Sequence, residues 1–74
     1  MVSTTRIVTE HEDVSLPVKD EDVQAVSDRL FTRLRASLIE EGVDPTSVLD
    51  AYLRYTREPG QNEIRLIAEA VVVE

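Results

Sequence analysis

The chain has 74 residues with 8 basic and 15 acidic side chains, a net charge of −7, no cysteine, no tryptophan and one histidine. That length predicts a single small domain over residues 1–74. Without cysteine, disulfides and thiolate metal sites are excluded, and no apolar run approaches the 18 residues of a membrane-spanning helix. The acid excess repels phosphate and anionic lipid, so direct binding to nucleic acid or to a membrane surface is not expected. No apolar leader follows Met1, and a cytoplasmic protein is expected.

Residues Thr5 to Thr9 are rich in β-branched side chains and predict a first strand. Glu10-His11-Glu12-Asp13 reads as a polar turn, and Val14-Ser15-Leu16-Pro17-Val18 as an edge extension or an extended lead into a helix. The clearest pattern follows. Asp20 is a candidate N-cap, with Glu21 and Asp22 at the positive end of the helix dipole. Val23, Val26, Leu30, Phe31, Leu34 and Leu38 recur at steps of three and four, opposite Asp28, Thr32, Arg33, Arg35 and Glu40. Gly42 supplies the stop, so a helix is predicted over residues 20–41.

Residues 46–57 fit two patterns. Asp44-Pro45 is a good start for a helix, whereas Leu49, Ala51, Leu53 and Tyr55 alternate with polar neighbours as in a strand. Pro59-Gly60 would centre a turn from Glu58 to Gln61, and residues 63–73 form a strong strand. That last strand needs a partner for its backbone groups, and a local hairpin with residues 49–57 supplies one. A two-stranded sheet would be marginal. The expected fold is α+β, a two-layer β-α-β-β domain. Its three-stranded, antiparallel-type sheet carries one long helix on one face; β-α-α-β is the alternative. Leu49, Ala51, Leu53, Tyr55, Ile64, Leu66, Ala68, Ala70 and Val72 would face the helix.

The opposite face would carry Tyr52, Arg54, Thr56, Arg65, Ile67, Glu69, Val71 and Val73. One helix covers only one side of a sheet, so the apolar members of this set should meet water in a monomer. Covering each large aliphatic group contributes roughly 1.5–3 kcal/mol, part of which association entropy offsets. Tyr52, Arg54, Arg65, Ile67, Val71 and Val73 are therefore the expected contact residues for a protein partner or for self-association as a homodimer or larger assembly. The edge formed by residues 5–9 has few charges and suits sheet extension.

Other features carry less. Glu10-His11-Glu12-Asp13 is the one dense cluster of metal-capable groups, but neighbours on an extended chain point in alternate directions and no second histidine exists. No Ser, Cys or carboxylate is placed by any motif to work with His11, so neither catalysis nor a cofactor is expected. Residues 10–22 hold Glu10, Glu12, Asp13, Asp20, Glu21 and Asp22 against Lys19 alone. Such a run could dock a basic protein as a mimic of nucleic acid. Acyl carrier proteins are also short and acidic, but Thr46-Ser47-Val48 lacks the Asp and Leu of their attachment site. The strand has no basic face for the groove contact of a ribbon-helix-helix repressor. The β-α-β-β order is similar to that of the dodecin flavin-storage proteins in topology alone, with no tryptophan to stack on a flavin. A non-catalytic interaction or oligomerisation module is the leading expectation. A ligand-binding homo-oligomer with an inter-subunit pocket, and an acidic inhibitor of a basic protein, are the alternatives.

Overall fold

A computed structural model describes residues 4–60 and 62–73. The order is strand β1 (Thr5–Ser15), helix α1 (Asp20–Glu40), a single 3₁₀ turn (Pro45–Ser47), strand β2 (Val48–Gly60) and strand β3 (Glu63–Val73). The strands form one antiparallel sheet in the order β1-β3-β2, and α1 lies across one face. This is the two-layer β-α-β-β domain that the patterning predicts.

Helix α1 starts one residue earlier in its cap than Asp20 suggests. Lys19 occupies the N-cap in an extended conformation with no side-chain hydrogen bond, while Asp20, Glu21 and Asp22 form the first turn. The end follows the glycine signal. Gly42 has φ of 74°, its N–H donates to the Ile39 carbonyl at 3.0 Å, and the Val43 N–H donates to the Leu38 carbonyl at 2.9 Å. This reverse turn satisfies two of the last helical carbonyls, and only glycine adopts its left-handed centre without a Cβ penalty.

Three boundaries differ from expectation. The Glu10-His11-Glu12-Asp13 segment is strand, not turn: residues 5–15 pair continuously with β3, from Thr5 opposite Val73 to Ser15 opposite Glu63. Its carboxylates are compatible with a strand because each is anchored. Ser37 Oγ donates to Glu10 at 2.9 Å, Arg29 to Glu12 at 2.6 Å and Arg65 to Asp13 at 2.8 Å. The helix signal at Asp44-Pro45 is real but yields one turn, closed by Asp44 Oδ1, which accepts from the Thr46 N–H at 2.9 Å and its hydroxyl at 2.8 Å. The chain then pairs with β3 as a strand. Finally, β2 runs to Gly60, which pairs with Glu63, so the connection falls later than a turn centred on Pro59-Gly60. Gln61, the last residue of that expected turn, lies outside the described residues.

The core sits between α1 and the two strands beneath it. Val26, Leu30 and Leu34 pack on Leu66, Ala68 and Ala70, with Val8, Val14, Phe31, Leu38, Val48, Leu53 and Ile64 around them. Leu30, Ala68 and Ala70 have no exposed surface. Small residues at the middle of β3 leave room for the helix side chains, and Ala68 is sealed beneath them.

Candidate interaction surface

A helix is about 10–12 Å across and strands are about 4.8 Å apart, so one helix shelters about two strands. Here α1 packs on β1 and β3 and makes no comparable contact with β2. The consequence is visible residue by residue. Of the positions expected under the helix, Ile64, Leu66, Ala68, Ala70, Val72 and Leu53 are buried or half-buried, but Ala51 is exposed, as are Tyr55 (69%) and Leu49 (64%). Leu49 lies at a bulge, where the ladder passes from Val48 opposite Val72 to Asp50 opposite Val71. Tyr55, opposite Leu66, keeps the helix side of the sheet as expected but is left uncovered, because β2 lies on the far side of β3 from β1; Leu49, in the bulge, has no partner on β3.

The uncovered strip opens into an apolar groove of about 340 Å³ between the C-terminal half of α1 and β2. Phe31, Leu38, Val43, Val48 and Ala51 line it, and Arg35 and Ile39 stand at its margin. No hydrogen bond or ion pair joins the Arg35 side chain to another described residue.

The opposite face of the sheet is assembled in register. Tyr52 lies opposite Glu69, Arg54 opposite Ile67, and Thr56 opposite Arg65; on the other side Ile7 lies opposite Val71 and His11 opposite Ile67. The six residues expected to make contacts, Tyr52, Arg54, Arg65, Ile67, Val71 and Val73, therefore do share one face. Their exposure is uneven. Ile67, expected to meet water, is only 8% exposed because it lies on the central strand between long neighbours, while Val71 and Val73 stay half-buried. Ile7, at 58% exposure, extends the apolar end of this face.

At its centre lies a buried charge. Glu69 is 6% exposed; the Tyr52 hydroxyl donates to its Oε2 and Arg54 Nε to its Oε1, each at 2.6 Å. The hydroxyl bond first, and the guanidinium second, hold the Glu69 carboxyl below its ordinary range, and the same bond raises the Tyr52 phenol. A carboxylate with both oxygens bonded this way tolerates burial, where a lone one would not. The sequence points to this cluster only through its register, since Tyr52, Arg54 and Glu69 carry no motif.

The acidic segment of residues 10–22 is divided. Glu12 is held below its ordinary range by the hydrogen bond from Arg29, and Asp13 by that from Arg65. Three of its six carboxylates, Glu10, Glu12 and Asp13, thus serve internal contacts, and Asp20, Glu21 and Asp22 face the start of α1. Among the described residues no group of three or more His, Asp or Glu side chains converges to hold a metal ion, and no helix is long and apolar enough to cross a membrane. Comparison with protein-family models, curated proteins and solved structures returns no match.

Proposed function

We propose that this protein is a non-catalytic interaction module of the cytoplasm that works by associating with further copies of itself along the side of the sheet that its helix leaves uncovered. The observation that carries this reading is the state of β2. Its apolar residues Leu49 and Tyr55 are exposed, its outer edge has no neighbour among the described residues, and an apolar groove runs beside it. Apolar surface next to an unpaired strand edge favours association. Ile7, Val71 and Val73 on the other face add to the surface that a partner copy would cover. Size-exclusion chromatography with light scattering tests the reading. A dimer or larger species is expected, dissociating when Tyr55→Asp is introduced; a strict monomer at millimolar concentration overturns it.

A second reading is supported by the groove itself. Its volume suits a small ligand, and the cation at its margin without an internal partner suits one with an apolar body and a carboxylate. Calorimetric titration with octanoate tests this, with Arg35→Ala abolishing the heat of binding.

A further inference from the structure

We infer that two copies join through their β2 edges, antiparallel about a two-fold axis at Tyr52, so that the sheet continues from one subunit into the next. This rests on the self-association proposed above and specifies its partner and register.

The sheet has two free edges, β1 and β2. They differ in charge. Strand β1 carries Glu10, Glu12 and Asp13 against Arg6, with one histidine, whereas β2 carries Asp50 and Glu58 against Arg54 and Arg57. In a chain of net charge −7, β2 is the edge where a second copy meets no excess of like charge.

Register then follows from which residues face one another. Side chains directly opposite across an antiparallel pair must lie on the same face, so the two position numbers share parity. Pairing about Tyr52 sets Asp50 opposite Arg54 of the second copy, twice by symmetry, and Leu53 opposite Ala51. It also sets Tyr55 opposite Leu49, the two most exposed large apolar residues of β2. Shifting the axis to Leu53 sets Asp50 opposite Thr56 and loses the charge pairs. Shifting it to Arg54 sets two arginines against each other, which is unfavourable. Arg54 is able to serve both partners: Nε engages Glu69 at 2.6 Å while the side chain stays half-exposed. Charge complementarity and apolar matching select the same alignment independently.

The absence of cysteine makes the test direct, since any thiol introduced is the sole one. Single cysteines at positions 52, 53, 54 and 55 are oxidised at a protein concentration where the dimer is populated. In the inferred register the two copies of residue 52 have Cα atoms about 5 Å apart, within disulfide range, while the two copies of residue 54 are about 14 Å apart. Tyr52→Cys should cross-link fastest, and a mixture of Asp50→Cys with Arg54→Cys should give the heterodimer in preference to either homodimer. Because Tyr52→Cys also removes a hydrogen bond to Glu69, Asp50→Arg provides a second measure. It should weaken the dimer about tenfold, and Asp50→Asn less. Fastest cross-linking at 53, 54 or 55 overturns the register. Light scattering that shows a dimer with no cross-link at any of these positions overturns edge pairing but leaves self-association standing. A monomer overturns both.

Discussion

Replacing Glu69 by glutamine keeps the shape of the side chain and removes its charge. In the native sheet both carboxylate oxygens accept short bonds, from Tyr52 and Arg54, at 6% exposure. Glutamine offers one acceptor oxygen and presents an NH₂ to the other donor, so one of the two bonds is lost and the survivor is weakened. Hydrogen bonds to a buried charge contribute about 1.5–3 kcal/mol, and the half-exposed Arg54 reduces its own share toward that of a surface pair. The expected cost is about 2 kcal/mol, against a total stability of about 4–11 kcal/mol for a domain of this length. Urea denaturation at neutral pH should show it as a midpoint lowered by about 1–2 M. Acidity provides the control. The folded carboxyl lies below its ordinary value of 4.5, so its contribution is complete above that value and is lost as pH falls through the folded one. The difference between native protein and variant should therefore close on acidification to roughly pH 2. Paired Glu12 and Asp13 weaken in both proteins alike and cancel. Equal midpoints at neutral pH, or a difference that survives acidification, would refute the account of Glu69 as a bonded, ionised side chain.

Substitutions at four other positions probe the scaffold. Leu30→Ala opens a cavity at a position with no exposed surface and should cost about 2–5 kcal/mol, measured by urea denaturation. Ala68→Leu inserts three carbons beneath the helix where the layers are closest, and a loss of about 1–3 kcal/mol or more is expected by the same assay. Gly42→Ala meets no atom within 4 Å, so its cost is the left-handed backbone alone, about 1–2 kcal/mol, and Gly42→Asn should recover part of it. Lys19→Asp gives α1 the side-chain cap it lacks and should raise the melting midpoint, with a gain of about 1 kcal/mol; a neutral result would show the cap to be solvated.

How far the sequence reveals this molecule depends on whether a signal is local. Helix α1 is legible because its apolar period, acidic first turn and Gly42 agree. Strand β3 is legible because its eleven residues have one consistent composition. From Val48 onward the ambiguous segment resolves as a strand through a tertiary requirement, the backbone pairing of β3, and the local helix start at Asp44-Pro45 is spent in one turn. The misread segment is Glu10 to Asp13. Four polar residues in a row signal a turn only when nothing binds them, and Arg29, Arg33, Ser37 and Arg65, distant in sequence, bind these. The membership of the outer face follows from alternation, so Tyr52, Arg54, Arg65, Ile67, Val71 and Val73 are found together. Their unequal burial does not, because it depends on β3 lying in the middle of the sheet. The uncovered side of β2 and the exposure of Leu49 and Tyr55 depend on the same strand order, and the bulge at Leu49 leaves no local mark.

The anchoring of β1 has a consequence for how large an assembly can grow. Glu12 is tied from the helix by Arg29 and Arg33, Asp13 is tied by Arg65, and Glu10 accepts from Ser37, so the carboxylates of this margin are already engaged within the subunit. If copies join through β2 as inferred above, a β1 margin whose carboxylates are spoken for offers no second seam, and the assembly ends at two subunits.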